Sequence, residues 1–355
     1  MNAISAPSQL IIRQAERLQQ QHWLLVNAPD SAVAAELEVA ALWHLHAGAA
    51  QQWQSHAAPQ QFGATPPQLP LQLNDANAAL LWLPKEKPLA DYLLHAIATL
   101  LPLGSEVWLV GENRGGIKSI DKLLGEYYAP LQKVAIGNHS LLLATHIKSQ
   151  PKPFALENYL LEQQLPQPGF NEPLRLHSLP GVFAYPSIDD GSAMLLKHLP
   201  HWQQGSVLDF ACGHGVLGAW LNRASPALKV SYLDVSAMAL AAAAATLASN
   251  NLTGELIASD GLNSELPRFD YIVSHPPFHT GLATDYKIGA AFLRQASMHL
   301  SSHGELWLVA NRFLPWPELI TASFGQCQRV AQDNRFAVYR AVRQPPARTT
   351  RKGRR

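Results

Sequence analysis

The chain has 355 residues, of which 47% are hydrophobic and 15% are charged, and its formal net charge is +1. This length and apolar content predict two domains with substantial cores, while the near-zero charge gives no global electrostatic argument for nucleic-acid binding. The two cysteines, Cys212 and Cys327, argue against a disulfide framework and are typical of a reducing compartment.

The N-terminus and the hydropathy pattern argue against secretion and membrane insertion. Residues 1–8 lack the basic and apolar regions of a signal peptide. No run approaches the roughly 18 uninterrupted apolar residues of a membrane span, and the Ala-rich segment 237–248 predicts a helix packed on a sheet. We therefore expect a cytoplasmic protein without a membrane partner.

The first predicted strand lies in residues 23–30, and the segment contains no glycine that would let a cofactor approach the backbone. Further on, Gly104–Val110 resembles Gly304–Val309, and Gln132–Asn138 resembles Gln328–Asn334, in the same order and at nearly equal spacing. These matches predict a duplication. Residues 1–150 would then form a degenerate, cofactor-free copy of the domain that follows.

Prolines interrupt regular structure between the two halves of the chain. They are Pro151, Pro153, Pro166, Pro168 and Pro173. We therefore predict a linker over residues 151–172 and a second domain over residues 173–342. Residues 343–355 form a basic tail with nothing apolar to pack, which is either disordered and solubilising or an RNA tether.

In the second half, apolar strands alternate with helical segments. The predicted strands are Ser206–Phe210, Lys229–Asp234, Glu255–Ser259, Tyr271–Ser274 and Glu305–Val309. This alternation predicts an α/β fold with a doubly wound, mostly parallel sheet of the Rossmann-like type. Gln328–Ala331 and Phe336–Val342 add an antiparallel edge hairpin.

Acidic residues and glycines follow three successive predicted strands, at the sheet edge where ligands of such folds bind. They are Asp209, Ala211, Gly213, Gly215, Asp234, Asp260 and Gly261, where Ala211 begins the glycine-rich loop. For S-adenosylmethionine, Asp209 would orient the loop and accept from the methionine ammonium, and Asp234 would accept from two ribose hydroxyls. Asp260 with Gly261 would meet the adenine amino group. The loop also matches the Gly-x-Gly-x-x-Gly pattern of NAD sites, which makes NAD the alternative cofactor.

The segment from Ser274 to Phe278 favours S-adenosylmethionine, because it has no role in a dehydrogenase. Pro276 and Pro277 lack backbone donors and fix an extended turn, and Phe278 offers a ring on which a base can stack. Methyl transfer to an amine requires the amine to be held in line and its N–H groups to be accepted. We therefore predict His275, Pro276, Pro277 and Phe278 as catalytic residues acting on a flat, amino-bearing substrate.

Residues 173–342 resemble the catalytic half of the bacterial small-subunit ribosomal RNA guanine-N2 methyltransferase C family. The resemblance lies in Leu179–Phe183, Asp190–Ser192, the Asp209 loop, Asp234–Ser236, Pro276–His279 and Val309–Pro315. In the first half, Leu83–Pro88 and Val110–Gly116 resemble that family's cofactor-free duplicate domain. The resemblance implies two tandem Rossmann-like methyltransferase domains. It also implies a cytoplasmic enzyme that methylates the exocyclic N2 of a guanine, guanine 1207, in 16S rRNA of the small ribosomal subunit.

Two positions depart from that family's pattern. His275 stands where the family usually has Asn, and an imidazole has one acceptor nitrogen when neutral and none when charged. We therefore expect activity to fall as His275 is protonated; alternatively, His275 has disabled the chemistry. Ala211 stands where the family loop usually has Gly, which costs on the order of 1 kcal/mol if the backbone there needs a positive φ.

The candidate RNA-binding residues are basic, and all but one lie in the tail. They are Arg312, Arg351, Lys352, Arg354 and Arg355. The 15 histidines do not complete a ligand set with Cys or carboxylates, so no metal is expected. We expect a monomer. Two other functions stay open: a non-catalytic RNA-binding ribosome-assembly factor, and a methyltransferase acting on protein glutamine or DNA adenine, whose targets share the Pro-Pro turn.

Overall fold

The computed structural model describes residues 4–67, 75–263, 265–276 and 283–344, which group into two compact units. Unit 1 consists of Met1–Leu161, Ser178–Tyr185 and Val235–Ala242. Unit 2 consists of Glu162–His177, Pro186–Asp234 and Ala243–Arg355. None of the described helices has both the length and the apolar character needed to cross a membrane.

In its described part, unit 1 contains a seven-stranded sheet. The strands are β1 (Trp23–Val26), β2 (Val39–His44), β3 (Gln60–Phe62), β4 (Ala78–Trp82), β5 (Glu106–Glu112), β6 (Gln132–Gly137) and β7 (Ser140–His146). The helices are α1 (Ala6–Ile12), α2 (Ala47–Trp53) and α3 (Lys87–Leu100), with short 3-10 helices at Ala15–Arg17, Ile117–Leu123 and Leu156–Tyr159. The strand order is β3-β2-β1-β4-β5-β7-β6, and β7 runs antiparallel to β5 and β6.

Unit 1 owes its stability to strands that are covered on both faces. Every residue of β1 and β4 is buried, which is why both strands are continuous apolar runs rather than alternating ones. Segments from further along the chain complete this core: Leu179, Val182 and Met238 are buried within it. Unit 1 is therefore assembled from three separate stretches of sequence.

A second seven-stranded sheet occurs in the described part of the chain after residue 200. Its strands are β10 (Gly205–Phe210), β11 (Leu228–Asp234), β12 (Glu255–Ala258), β13 (Phe269–Ser274), β14 (Leu300–Asn311), β15 (Gln328–Gln332) and β16 (Phe336–Val342). Before it, β8 (Leu161–Leu165) and β9 (Leu174–Ser178) form a two-stranded sheet. The helices are α4 (Asp190–Leu196), α5 (Val216–Ala224), α6 (Ala237–Ser249), α7 (Ala283–His299) and α8 (Trp316–Phe324).

The two large sheets have the same topology. The second has the order β12-β11-β10-β13-β14-β16-β15, which repeats that of unit 1 strand for strand. Both edge hairpins are antiparallel, and each has a register shift at the matching place, between Lys133 and Ala135 and between Arg329 and Ala331. The predicted fold class, two tandem Rossmann-like domains with antiparallel edge hairpins, is confirmed. The predicted domain limits stay predictions.

Candidate functional site

The carboxyl ends of four parallel strands lie side by side in unit 2. Phe210, the last residue of β10, pairs with Ser274, the last residue of β13, and the Ser274 hydroxyl donates to the Phe210 carbonyl at 2.8 Å. Ala211 and His275 therefore leave the sheet from neighbouring strands. On the other side of β10, Asp234 of β11 pairs with Ala258 of β12. The structure thus brings the candidate cofactor residues and His275 to one edge of the sheet.

Asp209 is buried inside this edge, with 1% of its surface exposed. Its Oδ2 accepts from the backbone N–H of Gly218 at 2.8 Å, in the first turn of α5, where the N-cap residue Gly215 has no side chain to do so. Burial raises the pKa of the Asp209 carboxyl well above its usual range, Asp234 raises it further, and the Gly218 N–H opposes the shift. This placement supports the loop-orienting role of Asp209, and its contact with a methionine ammonium stays a prediction.

The loop between β10 and α5 turns through three left-handed residues. The φ angles are 54° at Ala211, 54° at Gly213 and 79° at Gly215. Asp234 fixes the middle of the loop, because its Oδ2 accepts from the Gly213 N–H at 2.9 Å. A Cβ atom at Gly215 would lie 3.2 Å from the Ala243 Cβ. The loop is therefore held close to its neighbours, and two of its three left-handed residues are glycines.

Asp260 and Gly261 follow β12 at the same edge. Asp260 is exposed, and Gly261 has a φ of 87°. The buried Ser259 connects them to the neighbouring strand: its N–H donates to the Asp234 carbonyl at 3.1 Å, and its hydroxyl donates to the Gly261 carbonyl at 2.8 Å. Sequence reasoning missed Ser259, although its place directly before an Asp-Gly pair at a strand end was a usable signal.

His275 lies against the first turn of α4, with 5% of its side chain exposed. Its Nδ1 is 3.0 Å from the Ser192 hydroxyl and 3.3 Å from Asp189 Oδ1, and the Phe336 ring meets it edge-on. Sequence reasoning missed Asp189 and Ser192 as partners of His275. Pro276 directly follows His275, whereas the predicted catalytic residues Pro277 and Phe278 lie outside the described residues.

Arg312 follows the end of β14, the strand that pairs with β13. Its guanidinium lies 4.8 Å from the centroid of the Phe313 ring, which is 73% exposed, and its Nη1 donates to the Asp333 carbonyl at 3.1 Å. The other predicted RNA-binding residues lie outside the described residues. They are Arg351, Lys352, Arg354 and Arg355.

The residues at this edge fit S-adenosylmethionine. The left-handed loop turns let a ligand approach the backbone, and the fixed carboxylate of Asp234 is an acceptor of the kind that ribose hydroxyls need. Gly261 leaves space beside the exposed Asp260, since the nearest atom to a Cβ placed there is 3.7 Å away. In the described parts of the chain, no three His, Cys, Asp or Glu side chains are grouped as metal ligands.

Comparison with protein families identifies both halves of the chain. Residues 173–340 match the methyltransferase small domain, and residues 8–163 match the N-terminal domain of the same group. The chain is 42% identical to the ribosomal RNA small subunit methyltransferase C of Ectopseudomonas mendocina over 337 residues, 95% of this chain and 99% of that protein. It is 39% identical to the protein of the same name from Pseudomonas putida strain GB-1, over 94% of this chain and 98% of that one.

A solved structure has the same fold over nearly the whole chain. It is the 16S rRNA N2 G1207 methyltransferase of T. thermophilus in complex with AdoMet and guanosine, with a TM-score of 0.79 and 21% identity, covering 96% of this chain and 92% of that one. The fold, both family matches and the near-complete relatives agree. The chain belongs to the ribosomal RNA small subunit methyltransferase C family.

Proposed function

We propose that this chain transfers the methyl group of S-adenosylmethionine to the exocyclic N2 of a guanine in 16S rRNA. The observation that carries the proposal is the shared sheet edge, where the loop held by Asp209 and Asp234 emerges beside His275. Methyl transfer requires a bound cofactor and a bound amine to be held side by side. A cofactor loop and an acceptor side chain on adjacent strands provide this arrangement.

The described residues divide the work of binding and orientation. Bound S-adenosylmethionine supplies an electrophilic methyl group on a sulfonium centre. Asp234 and the loop from Ala211 to Gly215 would hold the cofactor, and Asp260 with Gly261 would meet its adenine. His275 would accept an N–H of the target amine through a neutral ring nitrogen, which aligns the nitrogen lone pair for attack.

We propose guanine 1207 of 16S rRNA, presented in the small ribosomal subunit, as the target. The named target of the structural relative supports this position, as do the curated relatives, whose names specify the small-subunit rRNA. Arg312 would contact the RNA together with Arg351, Lys352, Arg354 and Arg355. A monomeric, cytoplasmic enzyme fits this task, with a cofactor-free domain over residues 1–150, a linker to residue 172, a catalytic domain to residue 342 and a basic tail.

Transfer of a labelled methyl group tests the proposal directly. Small subunits that lack the modification should accept label from S-adenosylmethionine, and digestion of their RNA should place the label at N2 of one guanine. Naked 16S rRNA, DNA and total protein serve as competing substrates. RNA binding without transfer would instead support a non-catalytic assembly factor, and label in protein or DNA would support a glutamine or adenine methyltransferase.

The pH dependence of the rate tests the predicted role of His275. A protonated imidazole has no acceptor, so the rate should fall between about pH 8 and about pH 5.5, across the usual titration range of histidine. In His275→Asn the amide oxygen accepts at every pH, so the rate should fall much less. A flat profile for the natural enzyme would contradict this role. A large gain in rate for the variant at all pH values would indicate that His275 impairs the chemistry.

A further inference from the structure

Three side chains from two distant parts of the sequence meet at the end of β13. His275 Nδ1 is 3.0 Å from the Ser192 hydroxyl and 3.3 Å from Asp189 Oδ1. Asp189 is the N-cap of α4, and Ser192 lies in the first turn of that helix. One nitrogen of the imidazole therefore faces a carboxylate and a hydroxyl that belong to a single structural element.

The surrounding charges favour a proton on Nδ1. Asp189 Oδ1 already accepts from the backbone N–H groups of Gly191 at 2.7 Å and Ser192 at 3.4 Å, which fixes this oxygen as an acceptor. A bare lone pair on Nδ1 would face that oxygen and be repelled, whereas an Nδ1–H is attracted. The neighbouring charges, Asp190 and Arg335, pair with one another at 2.8 Å on the surface.

Packing keeps the imidazole in this orientation. A Cβ atom at Gly191 would lie 2.8 Å from His275 Cε1 and 3.1 Å from Phe336 Cδ1. The Phe336 ring meets the imidazole at 89°, with the two centroids 5.9 Å apart. The imidazole of His275 is therefore enclosed between the backbone of α4 and the buried Phe336 side chain, so its Nδ1 stays toward Asp189.

We propose that Asp189 and Ser192 are positioning residues that fix His275 as the Nδ1–H tautomer. A neutral imidazole protonated at Nδ1 has its acceptor lone pair on Nε2. Nε2 is a buried atom, and it serves as the acceptor when the amino group of the target base enters the site. The inference in this way deepens the proposed function and rests on it. Asp189 thus acts on the reaction through the proton distribution of His275.

The tautomer can be measured without any substrate. Nitrogen-15 NMR of histidine-labelled full-length protein at about pH 8.5, well above the pKa of about 6.5 of free histidine, should show His275 with a protonated Nδ1 and an unprotonated Nε2. The His275→Asn protein assigns the resonance by its loss. In Asp189→Asn, a larger share of Nε2–H tautomer is expected. A wild-type ring protonated at Nε2, or at both nitrogens, would overturn the proposal.

A double-mutant cycle in methyl transfer separates positioning from structure. Asn caps a helix as well as Asp does, so Asp189→Asn keeps the cap and removes the charge. It should lower kcat by about tenfold to a hundredfold, with KM little changed, because a charge-assisted hydrogen bond is lost. In the His275→Asn background the same change should cost less than about twofold, because an amide has no tautomer to fix.

Two controls make each outcome decisive. Asp190→Asn removes a neighbouring charge that pairs with Arg335 on the surface, and should leave both the tautomer and the rate near their natural values. Ser192→Ala should shift the tautomer in the same direction as Asp189→Asn. If Asp189→Asn lowered kcat equally in the natural protein and in His275→Asn, Asp189 would have only a structural role. A protein without any methyl transfer would contradict the proposed function, while the NMR measurement would still decide the tautomer.

Discussion

Ala211 occupies a position where the family loop usually has Gly, and this difference is expected to lower the stability of the folded protein. Its φ of 54° lies in the left-handed region, where an L side chain is strained. The strain belongs to the fold, because Asn27, which follows β1 as Ala211 follows β10, has a φ of 58°. The sequence alone did not show whether the backbone at residue 211 needs a positive φ; in the structure it does.

Replacing Ala211 with Gly should therefore stabilise the protein. Relief of the strain exceeds the extra chain entropy of glycine, and the expected gain is roughly 0.5–1 kcal/mol in the free energy of unfolding, measured by denaturant titration. Ala258→Gly is the matched control. Ala258 has ordinary strand geometry at the end of β12, so that variant should lose stability. A loss of stability in Ala211→Gly would contradict the argument.

His44 ends β2 in unit 1, at the position where Asp234 ends β11 in unit 2. Burial lowers the pKa of His44 from 6.5 to about 4, and the nearby Gln60 side chain partly opposes this shift. The folded protein therefore keeps this imidazole neutral at pH values where the unfolded chain binds a proton. Above about pH 6.5 the lowered pKa of His44 does not change the free energy of unfolding. As pH falls from there toward about 4, it lowers that free energy increasingly.

Between about pH 7 and about pH 5, His44 should cost the folded state on the order of 1–2 kcal/mol. In His44→Leu the free energy of unfolding should therefore fall less steeply over this interval than in the natural protein. Urea titrations at a series of pH values measure the two slopes. Parallel slopes would show that His44 takes up its proton without unfolding.

At the scale of elements, helix α5 packs unusually closely on strand β11. A Cβ atom at Gly218 would lie 2.3 Å from Tyr232 Cε1, and the Tyr232 ring is fully buried. Gly218→Ala should therefore push the helix off the strand and cost about 1–3 kcal/mol of stability or more. It should also weaken cofactor binding, because the Gly218 N–H holds Asp209 under the loop.

The matched control is another glycine with room around it. A Cβ at Gly63 would meet no atom closer than 3.6 Å, so Gly63→Ala should be tolerated. Thermal unfolding and calorimetric titration with S-adenosylmethionine measure both effects. If Gly218→Ala matched Gly63→Ala in both, close packing of α5 would not be what holds the loop.

The order of the helices and strands could be predicted from the sequence, because apolar runs and turn residues determine these elements locally. Phe336–Val342 was predicted with the limits that the structure has. The predicted strand Glu305–Val309 is longer in the structure, Leu300–Asn311, because the polar residues before Glu305 carry no strand pattern of their own. Leu300 pairs with Phe269 and Glu305 pairs with Tyr271, so residues 301–304 lie within the register shift between these two pairs.

The residues of the candidate site could be predicted from the sequence only where they lie at the ends of strands. Asp209 is the penultimate residue of β10 and Asp234 is the last residue of β11, so the apolar strand pattern located both. Ser192 lies 83 residues from His275 in sequence, and no local pattern relates the two. The φ of Ala211 and the burial of Asp209 depend on what packs around them, which a single sequence does not state.

At the scale of the whole molecule, the core of unit 1 depends on residues that come late in the chain. Leu179 is fully buried in that core, so Leu179→Ala should cost about 2–5 kcal/mol. Hydrogen exchange should show the loss in the amides of β4 and β5. Leu103→Ala, at a position that is 60% exposed, should change stability by less than about 0.5 kcal/mol. Unchanged exchange in β4 and β5 would contradict the assignment of residues 178–185 to this core.

The interleaving of the two units has a consequence for how the protein is made. A nascent chain that has emerged only as far as Leu161 lacks Leu179, Val182 and Met238, so the first unit has apolar surface without its natural covering. That unit can be completed only after Ala242 has left the ribosome, when β10 and β11 have already been synthesised in full. The usual order of biogenesis, in which an N-terminal domain matures first, is therefore not open to this chain.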